Sequence, residues 1–94
     1  MLFHLRCYDR PGALELRKAN RQSHLAYLDA LGDRVAFAGP TVAEDGETMN
    51  GSVLVIDFRD RDAAQAWANA DPYQQAGVFE RVEISAIRQV LPRP

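Results

Sequence analysis

Seven consecutive residues, Ser52 to Phe58 (SVLVIDF), put apolar side chains on both alternating sets, Leu54, Ile56 and Phe58 on one and Val53 and Val55 on the other. A strand of this kind belongs in the middle of a sheet with both faces covered. The rest of the chain must therefore supply flanking strands and two covers. With 94 residues, 47% of them apolar and 26% charged, there is room for one core and not two, so residues 1–94 are read as a single globular domain.

Leu2 to Tyr8 alternates, with Phe3, Leu5 and Cys7 on one side and His4, Arg6 and Tyr8 on the other, which predicts a strand with one oily face. Asp9-Arg10-Pro11-Gly12 is turn chemistry. From about Ala13 to Leu31 a long helix is expected, with Leu16, Ala19, Ser23, Ala26, Tyr27, Ala30 and Leu31 facing inward and Gly32 as its left-handed cap. Val35 to Val42 is a second strand with an irregularity expected at Gly39-Pro40. Ala43 to Gly51 (AEDGETMNG) reads as a mobile hairpin loop leading into Ser52–Phe58. Asp60 caps a helix over DAAQAWANA whose Trp67 and alanines face the sheet, and Asp71-Pro72 opens a second short helix that Gly77 ends. Val78 to Val90 is the last strand, after which the tail LPRP cannot extend a ladder.

Strand, helix, strand, strand, helix, strand is the ferredoxin-like βαββαβ arrangement, an α+β fold with a four-stranded antiparallel sheet and its helices on one face. The other face is left open, and the second apolar side of SVLVIDF predicts that another copy of the chain covers it in a sheet-to-sheet homodimer.

A formal net charge of −2 and scattered arginines leave no basic stripe, so no nucleic-acid partner is expected. His4, Arg6 and Asp9 interrupt the first apolar run, which argues against a signal peptide or a membrane span. The one cysteine, Cys7, excludes an internal disulfide and fits a cytoplasmic protein.

His24 carries the question of function, since an imidazole on the flank of a packed helix needs a hydrogen-bond partner or a chemical role. At 100° per residue it is turned well away from the outward-facing Lys18, Gln22 and Asp29. Arg21, one turn earlier on the same flank, adds a guanidinium suited to an anionic ligand. Asp71 is the candidate partner for the histidine, because ADPYQQAG should fold back beside the first helix. Asp9, Asp29, Glu44, Asp45 and Glu47 are worse placed. On pattern alone His24 reads first as a flank histidine bonded to backbone or water, and Asp71 as an N-cap worth about 1 kcal/mol. His4, on the sheet face opposite Phe3 and Leu5, is expected at an interface or lining a cavity and is the reserve proton carrier. No metal is expected, because two histidines without a carboxylate pair at ligand spacing do not make a site.

RQSHLAYL, AGPTV, GSVLVIDF and ADPYQQAGVFE together resemble the YCII-related (YciI-like) family across nearly the whole chain. That family carries R-x-x-H on its first helix and D-P-[YF]-x-x-A-G before its last strand. The resemblance implies a dimeric ferredoxin-like fold similar to that of muconolactone isomerase, and an active site built on the histidine and aspartate of those motifs. They fall on His24 and Asp71 here, with Arg21 and with Pro72 and Tyr73 completing the motifs. One branch of the family is a dehydrochlorinase acting on a chlorinated hydroxyhydroquinone. This chain departs from many relatives in having Gln22-Ser23, where they place proline, and a short loop at 43–51.

These readings converge on a cofactor-independent isomerase or lyase that transfers a proton on an oxygenated, anionic or phenolic small molecule. His24 would serve as base or acid, Asp71 would orient it, and Arg21, Tyr73 and His4 would bind substrate. The alternative is a ligand-binding or regulatory module that uses the same pocket without turnover.

Overall fold

Phe3, Leu5 and Cys7 are buried, whereas Leu2, His4, Arg6 and Tyr8 between them are half-buried, and this alternation sets the register of the whole sheet. The computed structural model describes residues 1–94. In order the elements are β1 (Leu2–Asp9), α1 (Leu14–Asp29), a short turn of 3-10 helix at Gly32–Arg34, β2 (Val35–Val42), β3 (Met49–Asp57), α2 (Arg61–Ala70), α3 (Pro72–Gln75) and β4 (Phe79–Ile87). The strands lie in the order β2-β3-β1-β4, every neighbouring pair antiparallel, with Leu5 facing Leu54 on one side and Ile84 on the other. This is the ferredoxin-like βαββαβ fold that the element order predicts.

The core lies between the sheet and the helices, where Phe3, Leu5, Cys7, Leu54 and Ile56 from the strands meet Leu28, Ala64, Ala68 and Tyr73. Each such side chain taken out of water contributes roughly 1.5–3 kcal/mol. Asp60 caps α2 by accepting from the Ala63 amide at 2.8 Å, and Trp67 packs on Phe58 with ring centroids 5.7 Å apart. On the opposite face of the sheet Phe37 is 57% exposed and Ile87 38% exposed, with Val53 and Val55 half-buried between them. No helix is long and apolar enough to cross a membrane.

Four details differ from the sequence reading. The inward stripe of α1 is Arg17, His24 and Leu28, while Leu16, Ala19, Ser23 and Ala26 are exposed. A buried guanidinium occupies the position that apolarity assigned to its neighbour. The irregularities of β2 fall at Val35/Phe37 and Thr41/Val42 and not at Gly39-Pro40. Pro40 sits on an edge strand, where a missing amide donor need not cost a ladder bond.

The expected loop is shorter, since β3 begins at Met49, and Asp45 hydrogen-bonds across the turn before it. The Asp45 carboxylate accepts from the amides of Glu47 and Thr48 at 2.8 Å and from the Thr48 hydroxyl, bonds that pull its pKa down to about 2. The last strand stops at Ile87, three residues early, because its ladder partner Leu2 is already the first residue of β1.

Gly51 lies inside β3, where the Arg6 guanidinium crosses over it to donate to the Cys7 carbonyl. A methyl group there would strike that carbonyl oxygen and stand 2.6 Å from Arg6 Nη1 and 2.7 Å from Thr41 Oγ1. Gly51→Ala is expected to lower stability by roughly 1–3 kcal/mol, read as a lower urea midpoint at unchanged m value.

Burial, seconded by the charge of Asp71, pushes the Cys7 thiol from 9.0 up to about 12. The unfolded chain ionises this thiol first, so the contribution of Cys7 is complete below pH 9 and is lost as pH rises toward 12. Unfolding titrations across pH 8–11.5 should show a steeper decline for wild type than for Cys7→Ala, which keeps only the loss due to other groups such as Tyr73.

Candidate functional site

The site starts from a helix cap. Asp71 ends α2 and opens α3; Pro72, at the first helical position, has no amide to satisfy, and Asp71 Oδ1 accepts from the Tyr73 amide at 2.9 Å. The same oxygen lies 2.8 Å from His24 Nδ1, which reaches it from α1 across 47 residues of chain. Both side chains are enclosed, His24 being 5% exposed and Asp71 1%. A carboxylate can only accept, so in the neutral imidazole Nδ1 carries the proton and Nε2 keeps its lone pair. Nε2 has no partner within the protein, and His24 forms part of a cavity wall.

Tyr73 supports the imidazole from one side, with the rings stacked at 3.9 Å and 13° apart. The Arg17 guanidinium lies 4.6 Å from the centre of the Tyr73 ring, and Phe79 meets the ring edge-on at 5.8 Å. Burial raises the phenol pKa of Tyr73, against the opposing charges of Arg17 and Arg21, so the group stays protonated at neutral pH.

Arg17 is held as firmly as the histidine. Its Nε and Nη2 donate to the two carboxylate oxygens of Asp9 at 2.8 and 2.9 Å, and Nη2 also donates to Ser52 Oγ at 2.9 Å. Burial by itself disfavours the charged guanidinium. The hydrogen bonds and charge of Asp9, joined by Tyr73, more than reverse this and raise its pKa. Removing one partner from such a pair typically costs 3–5 kcal/mol, because the other charge is left buried alone.

The cavity, about 180 Å³, lies between α1, α3 and the strands β2 and β3. Arg17, His24, Ser52 and Tyr73 form its polar side, Leu25, Leu28, Ala38, Pro40, Met49 and Leu54 its apolar side, and the exposed, unpaired Arg21 stands at its mouth. The lining side chains lie on the helix side of the sheet.

Of the five residues singled out from the sequence, His24, Asp71, Tyr73 and Arg21 meet around this space. His4 does not. It lies on the other face of the sheet between Val55 and Ser85, because the strand period that buries Phe3 and Leu5 turns His4 away from the helices. Arg17, Asp9 and Ser52 were missed, although Arg17 precedes His24 by seven residues, two helical turns along one face. No three metal-ligating side chains gather anywhere in the chain.

Comparisons with known proteins agree with this architecture. Protein YciI of Escherichia coli O6:H1 is 39% identical over 97 residues, covering 96% of this chain and 99% of that protein. An uncharacterized protein of Haemophilus influenzae is 36% identical over the same length, covering 96% and 99%. Among solved structures, the 5-chloro-2-hydroxyhydroquinone dehydrochlorinase TftG from Burkholderia phenoliruptrix AC1100, in complex with 2,5-dihydroxybenzoquinone, superposes with a TM-score of 0.86 at 33% identity, covering 94% of each chain. SnoaB, a cofactor-independent oxygenase from Streptomyces nogalater, shares the fold alone, with a TM-score of 0.56 at 14% identity over 97% of this chain and 95% of that one. Residues 1–88 match the YCII-related domain; the chain belongs to the YCII-related family.

Proposed function

We propose that this protein is a cofactor-independent isomerase or lyase that moves a proton on a single oxygenated, unsaturated ring, with His24 as its base. The observation that carries this reading is an imidazole fixed at Nδ1 by a buried carboxylate, its Nε2 without a partner in the protein and its ring in the wall of a cavity. Nε2 takes a proton from a ring carbon or hydroxyl, and the released electron pair moves onto a ring oxygen. Asp71 holds the imidazolium that results. Return of the proton elsewhere gives an isomer, and loss of a leaving group such as halide completes an elimination. Arg21 draws negative charge to the mouth, and Tyr73 keeps the imidazole plane in place. His4 takes no part.

Size and surroundings favour such a substrate. A cavity of roughly 150 Å³ takes up benzene, so about 180 Å³ suits one six-membered ring with small substituents. The apolar wall matches the ring faces and the polar wall its oxygens. TftG, a dehydrochlorinase of the same fold, lends weight to small-molecule chemistry at this place. The lone buried thiol fits a reducing compartment, and the cytoplasm is the setting we propose.

With 5-chloro-2-hydroxyhydroquinone as trial substrate, His24→Gln should cut chloride release by roughly 10²- to 10⁴-fold without loss of folding. Asp71→Asn retains an oxygen for both donors but no charge, and should lose less. Undiminished turnover by His24→Gln would end the reading, and binding without conversion by wild type would favour the module that only captures its ligand.

The open sheet face, with Phe37, Val53, Val55 and Ile87 unshielded, is proposed to pack on a second copy of the chain. Sedimentation at micromolar concentration should give a dimer for wild type and a monomer for Val55→Glu; a monomeric wild type would contradict it.

A further inference from the structure

We infer that Ala38, on the edge strand β2, is the specificity-determining residue of the cavity. Its one-carbon side chain leaves room for a small apolar substituent on the ligand ring, and a larger side chain there takes that room away. The inference deepens the proton-transfer reading and rests on it for the way the ring is placed.

The cavity has a direction, because α1 runs along β3. Arg17, in the first turn of α1, bonds to Ser52, and beyond the end of the helix the chain turns into β2 at Val35, which pairs with Ile56 further along β3. Polarity follows the same line. Along α1 the lining residues are first Arg17, Arg21 and His24 and then Leu25 and Leu28; along β3 Ser52 is followed by Leu54, while Met49 lies beyond Ser52 on the other side. One end of the space is therefore polar and the other is bounded by leucines. A ring whose oxygens meet the polar side turns its opposite edge toward Leu25, Leu28 and Leu54.

Strand β2 decides how much room that edge finds. Ala38 pairs with Leu54 and Pro40 with Ser52, and side chains directly opposite in an antiparallel pair share one face of the sheet, about 5 Å apart. Both thus face the cavity. Pro40 folds its ring back on its own backbone and Ala38 carries a single carbon, so neither fills the space beside Leu54. A leucine at position 38 would bring three more carbons to that spot. Since a cavity of roughly 150 Å³ takes up benzene, about 180 Å³ leaves roughly 30 Å³ over, room for a group of methyl size. Phenols and enols that carry one such apolar group across the ring from the oxygen are the class that fits.

The experiment titrates phenol and 4-methylphenol into the intact protein and follows binding by NMR. Wild type should bind 4-methylphenol roughly 3- to 10-fold more tightly than phenol, the gain expected for burying one methyl group. Ala38→Leu should keep phenol affinity within about two-fold and lose that preference, because its added carbons occupy the place of the methyl group. Ala38→Val, whose β-branched side chain suits a strand, should lose most of the preference as well, so the test stands even if leucine disturbs the sheet. Ala36→Leu, exposed on the same strand but outside the cavity wall, should behave as wild type. Ala38→Leu and Ala38→Val variants that still prefer 4-methylphenol would overturn the inference. So would equal loss of both ligands, the same change in Ala36→Leu, or a wild type that binds neither phenol or does not tell them apart. His24→Gln should keep the same Ala38 dependence. Failure of the proton-transfer reading, seen in turnover by that variant, is thereby distinguished from failure of this one, seen in binding.

Discussion

One carboxylate oxygen, Oδ1 of Asp71, takes two hydrogen bonds, from the Tyr73 amide and from the His24 ring, at 2.9 and 2.8 Å. A carboxylate that is 1% exposed is tolerated only when such donors compensate its lost water. The consequence is a joint between distant parts of the chain. The cap defines the start of α3, α3 lays Tyr73 under the imidazole, and the imidazole ties α1 to both. The local device that starts a four-residue helix is also what orients a ring nitrogen toward the cavity.

A second polar network, Asp9, Arg17 and Ser52, does the corresponding work at the other side of the cavity, joining the end of β1, the middle of α1 and the central strand β3. An ion pair this deeply enclosed is seldom a net gain over well-packed apolar side chains of the same volume. Its presence in a domain with so small a core makes more sense as equipment of the adjoining space than as a source of stability. Both networks open on the same 180 Å³.

Much of the fold was legible because its signals are local. Alternation in Leu2–Tyr8, the two-sided apolar run at Ser52–Phe58 and the Asp60 and Asp71 caps each depend on neighbours a few residues away, and each forms where expected. Errors arose where a residue's surroundings are supplied from elsewhere. Arg17 is polar by composition and buried in fact, since Asp9 and Ser52 satisfy its charge there; a count of apolar positions chose Leu16 in its place. The start of β3 was misjudged from polarity, since pairing with β2 carries the strand back to Met49 through residues that read as loop.

What the sequence alone determined was the order and kind of the elements, the family motifs and the identity of the two titratable groups that meet. Short-range sterics, periodicity and capping decide these matters, and they are written in adjacent residues. Only the tertiary structure decided which groups share one space. It placed the cavity on the helix side of the sheet, left His4 on the far side, and brought Arg17 and Ser52 to the same wall as His24. The reason is that desolvation acts on whatever the whole packed chain encloses, and a buried charge keeps its position only through partners that folding brings from far along the sequence.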